Sequence, residues 1–134
     1  MKVLINSCYG GFGYSAKAIK MYLDAKGMKY TGELVDTYSS VTLENGEKFS
    51  SYNISHDDPT MIQIFEEIGS EECSGAHSKL RCIEIPAGCQ YEITEYDGWE
   101  SLDYWLEATF DEVKDGLSPE KLDIFAKCGV IKLI

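Results

Sequence analysis

The chain has 134 residues with 23 acids and 12 bases, a formal net charge of −11. That length predicts one domain, 1–134, able to bury roughly two-thirds of its unfolded surface, and 44% hydrophobic content excludes intrinsic disorder. The acidic total, with Arg81 as the sole arginine, argues against duplex DNA. No apolar run approaches the ~18 residues of a membrane span, and Met1–Asn6 turns polar too quickly for a secretory leader. A cytoplasmic protein with no membrane partner is expected.

The charge is uneven. Residues 1–32 carry five lysines and one acid, a net +4, while the other 102 residues carry 7 bases and 22 acids, a net −15. A basic opening on an acidic chain suits a small anion. The five cysteines (Cys8, Cys73, Cys82, Cys89, Cys128) include no C-x-x-C pair, so neither a zinc site nor a redox dithiol is predicted.

In chain order, Val3-Leu4-Ile5 predicts a buried strand. A loop with three glycines in four positions, Gly10-Gly11-Phe12-Gly13, follows. Ser15 is a good N-cap for a helix over about 16–26, which Gly27 stops. Glu33-Leu34-Val35 reads as a short strand. Tyr38–Leu43 and Lys48–Ile54 read as a hairpin, with Asn45-Gly46 in a type I′ turn. Asp58-Pro59 supplies a cap and a first-turn proline to a helix that Gly69 closes, before a polar loop over 70–78. Leu80–Ile85 and Tyr91–Tyr96 are predicted strands, with Asp97-Gly98 as a second hairpin turn. Residues 103–113 fit a helix face or an aromatic strand equally. Ser118-Pro119 caps a helix to about Lys127, and Val130–Ile134 is a last strand. The fold class is α+β: one mixed, mostly antiparallel sheet with two or three helices, opening with a strand–glycine loop–helix unit.

The opening unit is the candidate site. A glycine loop feeding a helix start presents free N–H groups and the positive end of the helix dipole, where phosphate binds readily. Gly10, Gly11, Gly13 and Ser15 supply close backbone approach, and Lys17 adds charge. Tyr9, Phe12 and Tyr14 interleave the glycines and offer flat faces for bases. Phosphate holders beside stacking rings point to a nucleotide; the competing reading is a tight turn with its rings packed inward.

Other motif classes fit less well. No glycine is followed by lysine as a Walker A loop requires. Gly11-x-Gly13-x-x-Ala16 with Asp36 matches the dinucleotide fingerprint, but Gly11 lies too far past the strand and hairpins replace further βαβ units. Position 14 is tyrosine, so a C-x5-R phosphatase loop is excluded. His56 and His77 read as solvated, and the adjacent acid pairs (Asp57-Asp58, Glu66-Glu67, Glu71-Glu72) as solvated faces rather than converging carboxylates. Tyr91, Tyr96, Trp99, Tyr104 and Trp105 form an aromatic-rich region read as core and cross-strand packing, or as an interface or further stacking wall. No catalytic residue, metal or cofactor is assigned.

Lys2-Val3-Leu4-Ile5-Asn6-x-Cys8-Tyr9-Gly10-Gly11-Phe12-Gly13-x-Ser15-x-Lys17-Ala18 resembles the opening of a group of small phage-encoded proteins. Asp58-Pro59, Ile68-Gly69, Ile83-Glu84-Ile85-Pro86 and Tyr91-Glu92-Ile93-x-Glu95-Tyr96-Asp97-Gly98 extend the resemblance over roughly 1–102. The group often has arginine two positions before Asp-Pro, where this chain has His56. The group is similar to the viral sponge proteins that sequester cyclic-nucleotide signals of bacterial anti-phage defence. The resemblance implies a non-enzymatic, homo-oligomeric binder of a cyclic dinucleotide, acting in the host cytoplasm. Tyr9, Gly10, Gly11, Phe12, Gly13, Tyr14, Ser15 and Lys17 would be its ligand-binding residues. The alternatives are an acidic protein–protein inhibitor or DNA mimic, or an enzyme acting on a nucleotide or phosphorylated metabolite.

Overall fold

The computed structural model describes residues 1–33 and 40–134. The expected strand at 33–35, the start of the expected hairpin at 38 and Asp36 fall wholly or partly outside them. The class is α+β, with four α-helices and eight strands among the described residues. By packing, the chain divides into two compact units, a larger one of Lys2–Ile83 with Glu95–Ser101 and a smaller one of Met1, Glu84–Thr94 and Leu102–Ile134.

The larger unit opens with β1 (Lys2–Asn6), whose Val3, Leu4 and Ile5 are fully buried, as their unbroken apolar run predicts. Helix α1 (Ala16–Ala25) follows the glycine loop. Ser15 caps it, accepting from the Ala18 amide at 3.1 Å. The other end closes as a Schellman motif, with Gly27 N–H donating to Asp24 and Met28 N–H to Leu23. Ala18, Ile19, Tyr22 and Leu23 make its buried face.

Strands β2 (Tyr30–Thr31), β3 (Val41–Leu43) and β4 (Lys48–Phe49) form an antiparallel sheet with Val41 opposite Phe49. The β3–β4 turn differs from the expected type I′. Three residues, not two, separate the paired Leu43 and Glu47, so only Gly46 takes a positive φ, +89°. This is a type I turn closed by a glycine bulge, and Asn45 instead accepts the Glu47 amide through its side chain.

Helix α2 (Pro59–Cys73) is capped as expected, with Asp58 accepting from the Thr60 and Met61 amides. Gly69 interrupts it at φ +86°, but the chain regains helical form through Cys73. The expected polar loop therefore starts later. Met61, Ile62 and Ile64 face the α1 side chains and, with Leu4, Val41, Phe49, Ile54 and Leu80, form the core. β5 (Leu80–Glu84) pairs with β1.

β6 (Gln90–Tyr96) and β7 (Trp99–Ala108) are neighbours in a second three-stranded sheet, and each runs through both units. Asp97 and Gly98 join them with φ of +51° and +87°, the two positive values of a type I′ turn.

In the smaller unit β7 pairs in parallel with β8 (Ile131–Leu133), Leu106 opposite Ile131. The ambiguous stretch 103–113 resolves into the rest of β7 and a short helix, α3 (Phe110–Asp115). Thr109 and Glu112 form a reciprocal capping box that starts α3. Ser118 and Pro119 open α4 (Pro119–Cys128) as expected, and Gly129 ends it. The strands thus group into three sheets rather than one, and α3 adds a helix to the expected set. Among the described residues no helix is long and apolar enough to cross a membrane.

Candidate functional site

Asn6, at the end of β1, is fully buried and fastens the glycine loop to a distant turn. Its amide nitrogen donates to the Cys8 carbonyl at 2.8 Å and the Gly98 carbonyl at 2.7 Å, while its oxygen accepts from the Lys79 amide at 2.8 Å. The Gly10 amide donates to the Asp97 carbonyl at 3.0 Å. Gly98 lies so close that a Cβ there would fall 2.2 Å from the Gly11 nitrogen, so both its φ and its surroundings demand glycine. This fastening sets the Tyr9 ring 5.3 Å from the Trp99 ring, tilted by 48°. Tyr9 is 60% exposed and Trp99 39%, so the pair presents two adjoining aromatic rings to solvent.

On the buried side of β7, Glu100 is 6% exposed. One of its oxygens accepts the Asn6 amide at 2.8 Å, and the other meets His56 Nε2 at 2.8 Å. The Phe12 ring lies 4.5 Å from the His56 ring and meets Tyr14 edge-on at 5.0 Å. Tyr14 is 3% exposed, and its hydroxyl and Ser7 Oγ are buried with no hydrogen-bond partner among the described residues. Burial above all, then the Cys73 thiol and the Asp58 and Glu100 carboxylates, pushes the Tyr14 phenol far above its usual range. Burial pushes the Cys73 thiol up to about 12. Tyr22 is pushed up to about 12 by burial and then by its 2.9 Å bond to Asp58. These three groups stay protonated at neutral pH and make poor nucleophiles or bases. His56 and Glu100 form a hydrogen-bonded imidazole–carboxylate pair.

The start of α1 differs from the expected anion cradle. The last turn of α2 covers it. The Ser15 amide donates to the Cys73 carbonyl at 2.9 Å, and the Ser15 hydroxyl donates to the Glu72 carbonyl at 2.5 Å. The Tyr14 amide donates to Ser51 Oγ at 3.1 Å. Lys17 pairs with the Glu72 carboxylate. The Gly13 carbonyl accepts from the Gly75 amide at 2.9 Å and Ser78 Oγ at 2.6 Å. The carbonyl end of one helix thus meets the amide end of another, and the chain's own groups take the place expected for phosphate.

The eight residues expected to act together are therefore divided. Tyr9, Gly10 and Gly11 stand at the exposed aromatic surface, and Phe12 packs against His56. Tyr14 and Ser15 are buried, while Gly13 and Lys17 bond to the α2 end and the residues after it. Tyr14, Ser15 and Lys17 are corrected accordingly: they close the corner instead of opening it. Asn6, His56, Trp99 and Glu100 join the site. Trp99 carried a signal in its place directly after Asp97-Gly98; the others meet partners 44 to 94 residues away, which no local pattern records. Among the described residues no group of three or more His, Cys, Asp or Glu side chains is placed to hold a metal ion.

No family model, curated protein or solved structure matches the chain.

Proposed function

We propose that this protein sequesters a cyclic dinucleotide signal of bacterial anti-phage defence, unaltered, by stacking a base on Tyr9 and Trp99. The observation that carries this reading is the exposed aromatic pair, held at 5.3 Å by a glycine-built corner. Base–aromatic stacking contributes ~1–3 kcal/mol per ring and tolerates any base. A platform fixed before the ligand arrives loses little entropy on binding. On this reading it is a phage protein that acts in the host cytoplasm as a homo-oligomer. Phe110, Leu122, Phe125 and Leu133, large and exposed in the smaller unit, support self-association.

Calorimetry against cyclic dinucleotides and their linear counterparts tests the reading. Binding that falls ~5–150-fold in Tyr9→Ala and in Trp99→Ala supports it. Silence across the whole panel overturns it.

The His56–Glu100 pair favours a second reading, an enzyme acting on a nucleotide. An imidazole giving its Nε2 proton to Glu100 keeps a lone pair on Nδ1 as a base. Nucleotide converted by the native chain and spared by His56→Ala, seen by chromatography, would replace sequestration with catalysis.

A further inference from the structure

The smaller unit holds two thiols that the aromatic site does not use. Pro86, Ala87, Gly88 and Cys89 form a turn, closed by the Cys89 amide donating to the Pro86 carbonyl at 3.3 Å. Gly88 faces α4 so closely that a Cβ on it would lie 2.5 Å from Ile124 Cδ1. Cys128 is one helical turn beyond Ile124 on that same face of α4. Burial, and then a hydrogen bond with the Cys128 thiol, pushes the Cys89 thiol above its usual range. Cys89 is buried and Cys128 is half-buried, so one sulfur of the pair is open to a reagent and the other is screened.

We propose that Cys89 and Cys128 are a redox-active pair that closes to an intramolecular disulfide, stapling the Pro86–Cys89 turn to the end of α4. The oxidant is a small disulfide such as oxidised glutathione. Cys128 loses its proton and its thiolate attacks one sulfur of that disulfide, releasing one glutathione thiolate and leaving glutathione joined to Cys128. Cys89 then loses its proton and attacks the Cys128 sulfur, releasing the second glutathione. Two protein thiols become one disulfide, the small disulfide becomes two thiols, and the protons pass to the departing thiolates. No local pattern records this pair, because the two cysteines lie on separate elements.

The staple suits its surroundings. The smaller unit spans roughly 45 residues, a size at which a hydrophobic core alone is marginal and covalent links are common.

The test treats the full-length protein with mixtures of reduced and oxidised glutathione, quenches with acid, and reads intact mass. Cleavage after glutamate separates Cys82 from Cys89 at Glu84, so the linked peptides identify the bond. The expected result is a monomer lighter by two hydrogens, with Cys89 joined to Cys128 and restored by dithiothreitol. Cys89→Ser should instead stop at a glutathione adduct on Cys128, and Cys8→Ser should close the bond as the native chain does. Circular dichroism confirms that each variant is folded. A glutathione adduct that never resolves in the native chain, a bond to another cysteine or between chains, or no reaction at all overturns the proposal.

Discussion

The two units bury very different amounts of apolar surface. The larger one surrounds β1 and the facing sides of α1 and α2 with a continuous core that includes Leu4, Leu23, Met61 and Leu80, all nearly or fully buried. Its buried polar residues, Asn6, Ser15 and Glu100, are bonded to partners far along the chain. The smaller unit buries Ile85, Cys89, Leu106 and Ala108, while Phe110, Val113, Leu122, Phe125, Leu133 and Ile134 stay exposed. Its elements are held by two local devices, the Thr109–Glu112 box and the Ser118 cap, and by the Lys132 ammonium of β8 lying 3.7 Å from the centre of the Trp105 ring of β7. The contrast teaches where stability is lodged. Truncating a leucine should be severe where the larger unit buries it and mild where the smaller unit leaves it exposed.

Leu4→Ala is the largest expected effect. It removes a fully buried side chain from a closely packed core and should cost ~2–5 kcal/mol, read from the urea midpoint. Leu122→Ala, in the smaller unit, alters an exposed side chain and should stay within ~0.5 kcal/mol. Equal losses from the two substitutions would break the contrast.

Asn6→Ala comes next. It leaves the Gly98 carbonyl, in a buried bond, and the half-buried Lys79 amide and Cys8 carbonyl without their Asn6 partners, at ~1–3 kcal/mol in total because the half-buried groups can turn to water. The same change loosens the Tyr9–Trp99 platform, so nucleotide affinity should fall along with stability. Stability lost with affinity intact would separate the platform from the ligand.

These partners also mark what the sequence made legible. Ser15, Asp58-Pro59, Asp97-Gly98 and Ser118-Pro119 act on residues within one turn of themselves, so their roles could be read locally. Thr109-x-x-Glu112 is equally local, but it lies inside an aromatic stretch whose pattern fits helix and strand alike. The covering of α1 was illegible. A helix start open to an anion and one closed by another helix share the same residues, and the difference lies in Glu72 and Cys73, nearly sixty positions on. The half of the site contributed by Asn6, His56 and Glu100 was hidden for the same reason.

Lys17→Ala separates those two readings and carries a small effect. An anion-holding lysine would lose most ligand affinity on truncation. A lysine paired with Glu72, each side chain more than half exposed, should give up no more than ~1 kcal/mol of stability and leave affinity unchanged.

The finest test uses pH, because the titrating groups differ between units. In the larger unit Tyr22 and Cys73 hold their protons up to about 12, above the unfolded values of 10.0 and 9.0. Their contribution to stability is complete below those unfolded values and is lost as pH climbs through 9 to 12. In the smaller unit the Lys121 ammonium and the Thr109 backbone amide hold the Glu112 carboxyl below its ordinary 4.5. That contribution is complete above 4.5 and disappears as pH drops beneath it. The two tryptophans report separately, since Trp99 belongs to the larger unit and Trp105 to the smaller. Trp105→Phe leaves a fluorescence probe of the larger unit, which should change on the alkaline limb. Trp99→Phe leaves a probe of the smaller unit, which should respond first on the acid limb, where Glu112→Gln removes the titrating carboxyl. Cys89 is also held above its ordinary range, so the Trp105 signal should carry an alkaline component as well, one that Cys89→Ser reduces. Superimposable acid limbs from the two probes would mean that the units unfold as one, and the difference in their cores would then have no thermodynamic consequence.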